Sequence, residues 1–126
     1  VEYAVSVLQV AHIVVLGHSR CGGVQGCIDM CEGRAPELEE MSSFVGRWMD
    51  ILRPKYEQVA DIPLNDDKSK RLEQLAVVTS MENLMTFPFV ESRVNDGSLS
   101  LHGLWTDIAE GGMSQFMGAT LDFQPV

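Results

Sequence analysis

Two residues in the stretch LGHSRCGG, running from Leu16 to Gly23, could hold a metal ion: His18 and Cys21. A neutral imidazole and a thiolate are ligands that zinc prefers, and two intervening residues let both side chains point into one loop. The glycines that follow, Gly22 and Gly23, let backbone N–H groups approach a bound anion closely. With a helix starting there, Cys21 lies at its N-terminus, where the dipole favours the thiolate. The same letters fit an ordinary strand-to-helix turn, because a bare H-x-x-C recurs by chance. A catalytic zinc takes three protein ligands and keeps one position open, and the spacing offers no obvious third.

The elements that must position this corner are legible in the hydrophobic periodicity. HIVVLGH, His12–His18, is β-branched and almost continuously apolar, as in a parallel strand buried on both faces. Gly22 and Gly23 open a helix reaching about Cys31. Val1, Val5 and Leu8, with Ala4, recur at helical spacing and predict an amphipathic helix over 1–9. Helix, parallel strand and helix in succession mark an α/β fold.

Downstream, EGRAP is a turn. A second helix is expected from Glu37 to about Leu52, with Met41, Phe44, Val45, Trp48, Ile51 and Leu52 on one stripe and Pro54 ending or kinking it. DIPLNDD breaks the chain, and Asn65 or Asp66 caps a helix carrying Leu72, Leu75, Ala76 and Val78 to about Met85. Pro88 interrupts it, and a last turn stops at Gly97. LSLHGLWTDI alternates as a strand, AEGG turns, and SQFMGATLDFQPV returns as a second strand and tail. The expected architecture is α/β, with central parallel strands, an antiparallel edge hairpin and flanking helices.

Composition limits the partners. The 126 residues suffice for one domain, and 45% hydrophobic content is globular. No apolar run approaches the roughly 20 residues that span a bilayer, and no positively charged region leads into a signal peptide. Eighteen acidic residues against nine basic ones leave a net charge of -9. The strongest basic cluster is KSKR, Lys68 to Arg71, which reads as a solvated helix face, so no nucleic-acid partner is expected. Cys21, Cys27 and Cys31 fall in one segment and in odd number, which fits a reducing, cytoplasmic setting better than a disulfide framework.

VEYAV and HIVVLGHSRCGGV closely resemble the β-class carbonic anhydrases, and the resemblance continues through SMENLMTFPFV, DGSLSLHGLWTDIAEG and LDFQPV. It spans essentially the whole chain in the expected order. It implies a β-carbonic-anhydrase-like fold and reversible, zinc-dependent hydration of CO2 to bicarbonate, with His18 and Cys21 as two of the metal ligands. In the family the third ligand is a cysteine in an upstream C-x-D-x-R motif. Its Asp hydrogen-bonds the zinc-bound water or, in resting forms, ligates the metal, and its Arg holds the Asp. No C-x-D-x-R occurs in these 126 residues, and the chain opens inside an apolar helical pattern. The expectation is a single partial domain, 1–126, the C-terminal portion of a longer product whose motif precedes Val1. Such a chain alone is expected to lack a complete site and to expose a hydrophobic seam, so that it needs a complementary chain or oligomerisation.

The resemblance also implies a homodimer or higher homo-oligomer. Two other readings stay open: an inactive fragment or pseudoenzyme that keeps the fold and associates with partner chains, and a COS or CS2 hydrolase using the same metal chemistry. Tyr3 matches a position where some family members use a tyrosine in a secondary bicarbonate pocket, against which stands a plain core tyrosine. Cys27 and Cys31, one helical turn apart, could replace the missing ligand only if their helix did not carry them off, which it is expected to do. His12 and His102 read as hydrogen-bonded structural histidines. Phe44, Trp48 and the methionines read as core or subunit-interface residues, and ELEE and NDD as solvated faces.

Overall fold

β-Branched and apolar residues extend His12–His18 into strand β1. Ser100–Thr106 forms β2 parallel to it, with His12 opposite Ser100 and His18 opposite Thr106. Strands β3 (Met113–Met117) and β4 (Asp122–Pro125) follow antiparallel, giving the sheet order β1-β2-β3-β4. This computed structural model describes residues 1–40, 44–120 and 122–126. The end of the chain therefore holds two strands where one strand and a tail were expected. The Gly118–Thr120 turn, in which Thr120 N–H donates to the Met117 carbonyl at 2.9 Å, folds the chain back on β3.

Between β1 and β2 run the helices α1 (Gly22–Cys31), α2 (Phe44–Met49), α3 (Arg53–Tyr56), α4 (Asp66–Met85) and α5 (Pro88–Asn95). Asn65 caps α4, its side-chain oxygen accepting the Lys68 N–H at 3.1 Å. Pro88 occupies the first turn of α5, and Gly97 leaves it at a φ of +79° that favours glycine. No helix among the described residues is long and apolar enough to cross a membrane.

Helix α4 lies directly on β1 and β2 because each strand presents a glycine to it. A Cβ on Gly17 would stand 2.5 Å from Val77 Cγ2, and one on Gly103 2.7 Å from Met81 Sδ. Gly17→Ala is therefore expected to force β1 off α4 and destabilise the fold by about 1–3 kcal/mol, the usual cost of overpacking. Urea denaturation at neutral pH measures it, and an unchanged midpoint would contradict this packing. The main core joins Val24, Cys27 and Ile28 of α1 to Met49, Val59, Leu72 and Leu75. A smaller one gathers Val5, Val90 and Leu99, and Arg93 Nη1 donates to the Val5 carbonyl at 2.7 Å beside it.

Several expectations change on contact with this architecture. β1 is half-buried on one face, where α4 packs at Gly17, while Val14 and Leu16 on the other face are exposed. The first helix shrinks to a π-helical turn, Tyr3–Val7, in which Val5 alone is buried and Val1 and Leu8 face solvent. The helix expected from Glu37 to Leu52 is instead a 3-10 turn at Pro36–Leu38 followed by α2, and Pro54 opens α3. Its apolar stripe points outward, with Phe44 84% and Trp48 59% exposed, because α2 meets α1 through Met49, which packs against Gly26. Met41 and Leu121 lie outside the described residues.

The KSKR reading fails at its first residue. Lys68 is only 2% exposed. Its ammonium donates to Glu32 Oε1, to the Tyr56 hydroxyl at 3.3 Å and to the Ala60 carbonyl at 3.2 Å. The acidic runs are exposed as expected at Glu37, Glu39, Glu40, Asp66 and Asp67.

Candidate metal centre

β1 delivers His18 to the end of the sheet, and three residues later α1 begins with Cys21 as its N-cap in an extended conformation. Between the two, Arg20 adopts a φ of +56°, a left-handed conformation that a side chain disfavours. The corner is therefore held by hydrogen bonds from outside it. Ser19 N–H donates to the Thr106 carbonyl at 2.9 Å, and Ile108 N–H donates to Ser19 Oγ at 3.0 Å. Ser19 Oγ in turn donates to Asp107 Oδ1 at 3.2 Å. Asp107 accepts the Ala109 and Glu110 N–H groups as well, and these backbone donors hold its carboxyl below the usual range.

His18 Nδ1 lies 2.9 Å from the Ser19 carbonyl. A carbonyl only accepts, so Nδ1 carries the proton, and neutral His18 keeps its lone pair on Nε2. That is the orientation a metal-ligating imidazole takes when its second nitrogen is engaged. His18 and Cys21 both border a cavity of about 180 Å3 whose apolar wall includes Val15, Val24, Ala76 and Val77. Cys21 also borders a larger cavity of about 520 Å3, lined by Gly22, Arg20, Lys70 and Trp105 among others. Gly22 faces open space, whereas a Cβ on Gly23 would meet Trp48 Cζ3 at 2.8 Å, so a side chain there would have to displace the Trp48 ring.

One residue of this corner escaped the sequence reading. Glu73 of α4 is 3% exposed and borders both cavities. Its Oε1 accepts the Cys21 backbone N–H at 3.1 Å, and its Oε2 accepts Trp105 Nε1–H at 3.1 Å. The signal that could have found it is a charge on an apolar helix stripe, three and four residues before Ala76 and Val77.

The remaining candidates separate from the site. Cys27 is fully buried in the core, and burial, reinforced by the neighbouring Cys31 thiol, pushes its thiol up to about 12. Tyr3 is 65% exposed and borders neither cavity, so the expected core tyrosine stands in solvent instead. His12 and His102 meet across β1 and β2, with Nδ1 and Nε2 3.1 Å apart. Among the described residues no cluster of three or more His, Cys, Asp or Glu side chains could hold a metal ion. The donor types at His18 and Cys21, an imidazole with its lone pair on Nε2 and a thiol, are ones that zinc takes, and both residues border one cavity.

A parallel-then-antiparallel sheet with a His–Cys corner at the end of its first strand, backed by a long helix, defines the class of this domain. The family model for carbonic anhydrase matches residues 1–113, and the chain belongs to the β-carbonic anhydrase family. It is 33% identical over 105 residues to beta carbonic anhydrase 5, chloroplastic, of Arabidopsis thaliana, covering 81% of this chain and 33% of that protein. Against carbonic anhydrase 1 of Escherichia coli O157:H7 it is 32% identical over 129 residues, covering 100% of this chain and 56% of that one. The solved structure of the beta-carbonic anhydrase CcaA superposes with a TM-score of 0.85 at 29% identity, over 99% of this chain and 55% of the other. A tetrameric beta-carbonic anhydrase from Sordaria macrospora superposes at 0.72 and 29% identity, over 90% of this chain and 56% of the other. The chain thus spans a third to just over half of the length of these proteins.

Proposed function

We propose that this chain forms the His–Cys half of a zinc carbonic anhydrase that interconverts CO2 and bicarbonate. The observation that carries the reading is the joint placement of His18 and Cys21 on one small cavity, with the His18 ring already oriented through the Ser19 carbonyl. The chemistry that zinc supplies when bound is Lewis acidity sufficient to ionise water near neutral pH. His18 and Cys21 hold two ligand positions, the apolar wall of the 180 Å3 cavity admits a small nonpolar molecule, and the backbone at Gly22, on the edge of the larger cavity, is open to close approach by an anion. The resemblance assigns the third ligand and the Asp–Arg pair to a C-x-D-x-R segment outside these residues. The three free cysteines suit a reducing, cytoplasmic setting.

A homo-oligomer belongs to the same proposal. Phe44, Val45, Trp48 and Ile51 present an exposed apolar stripe, and Val14 and Leu16 add a second, which is the surface an associating subunit covers.

The test compares the 126-residue chain with a longer protein that carries both this sequence and a C-x-D-x-R segment. The expected result is stoichiometric zinc and stopped-flow CO2 hydration in the longer protein, with neither in the shorter. A longer protein free of zinc would overturn the assignment and leave an inert scaffold.

A further inference from the structure

We propose that Glu73 is the positioning residue for Cys21, fixing where its sulfur sits by holding the backbone at the strand-to-helix corner. This rests on the reading of Cys21 as a metal ligand and extends it to a residue on a different element, 52 positions away. Ser19 is held by β2 and by the turn after it, but the one hydrogen bond that reaches the Cys21 backbone N–H ends on the Glu73 carboxylate. Arg20, immediately before Cys21, stands at a φ of +56°, so its own dihedral preference pulls the corner away from the observed path. An external restraint is needed at Cys21, and Glu73 supplies it.

The chemistry of the two partners explains why this position holds a carboxylate. Cys21 N–H and Trp105 Nε1–H are both donors, with no lone pair to offer. Glutamate presents two acceptor oxygens, one to each. Glutamine would present one oxygen and one NH2, and the NH2 would face an N–H in either orientation. Burying a charge is costly unless every hydrogen bond is made. Glu73 makes both, at 3.1 Å each. Geometry is what the residue contributes.

The experiment reads backbone exchange and metal affinity separately, in the longer zinc-binding protein. In the unsubstituted protein, the Cys21 amide should exchange at least about tenfold more slowly than the Gly22 amide, which no carboxylate engages. Glu73→Gln should abolish that difference while leaving exchange at Leu72 and Leu75 native. Glu73→Gln should also weaken Co2+ binding by about 10–100-fold, the range for partners that orient a ligand, and reduce the sulfur-to-cobalt charge-transfer band at saturation. A Cys21 amide that exchanges as fast as Gly22 in the unsubstituted protein overturns the proposal even if the variant fails to fold. Native Co2+ affinity and an unchanged band in Glu73→Gln also overturn it. If Cys21 binds no metal at all, the exchange difference persists and only the ligand assignment falls.

Discussion

Cys21→Ser, placed in the longer zinc-binding protein, is expected to lower zinc affinity at least about a hundredfold, since even the loss of a group that merely orients a ligand costs 10–100-fold. CO2 hydration should fall with the bound metal. The physical reason is acid strength and softness together. A thiol gives up its proton to a metal far more readily than a serine hydroxyl does, and the thiolate is a ligand that zinc prefers, so serine cannot take its place. The contrast within the same chain is Cys27→Ala. Cys27 lies in the core with its thiol pushed to about 12 by burial, so it has no ionised sulfur to offer. That variant should keep its zinc and lose only packing, by roughly 1 kcal/mol for the small side chain removed. Zinc content measured against a competing chelator separates the two. Native zinc in Cys21→Ser, or lost zinc in Cys27→Ala, would reverse the roles assigned to the two sulfurs.

Much of the scaffold behind that prediction is written locally. β1, α1 and α4 begin and end where their sequence signals put them, because strand branching, the glycine pair and the Asn65 cap act over a few residues. What was illegible depends on which neighbour covers a surface. The apolar stripe at Phe44, Val45, Trp48 and Ile51 is a sound amphipathic pattern, but periodicity does not say whether the partner is the chain's own core. The outer face of β1 poses the same problem, since Val14 and Leu16 read as buried and stand exposed.

The candidate site divides the same way. His18 and Cys21 advertise themselves by type and spacing, whereas Glu73 acquires meaning only when α4 crosses Gly17 and brings its carboxylate beneath the corner. Lys68 is the clearest case of charge misread. In sequence it belongs to a basic run, and its partners Tyr56 and Glu32 lie 12 and 36 positions away.

Lys68→Met is accordingly expected to destabilise the fold by about 2–3 kcal/mol at pH 7, at or just below the roughly 3–5 kcal/mol that breaking a buried ion pair costs, because Glu32 keeps other partners. The ammonium joins the end of α1 to α3 and α4, and its donors reach Glu32, Tyr56 and Ala60. Removing it leaves the Glu32 carboxylate with Arg34 and the Tyr56 hydroxyl only. The pH dependence has a definite sign. The Lys68 hydrogen bond, aided by Arg34, lowers the Glu32 carboxyl from 4.5 to about 2. A depressed carboxyl stabilises the fold above its unfolded value and loses that contribution as pH falls from about 4.5 toward 2. The native protein should therefore lose stability across that window, and the gap between it and Lys68→Met should narrow as Glu32 protonates. Lys68 is shifted upward by the same Glu32 hydrogen bond, so its own share persists through neutral pH and is lost only above the ordinary lysine range. The double variant Lys68→Met/Glu32→Gln should be less destabilised at pH 7 than the two single losses added together, because each single change strands the other partner. Urea denaturation at pH 7, 4 and 3 reads all three variants. A constant gap between native protein and Lys68→Met down to pH 3, or strictly additive losses, would mean that Lys68 is held by packing and not by the Glu32 charge.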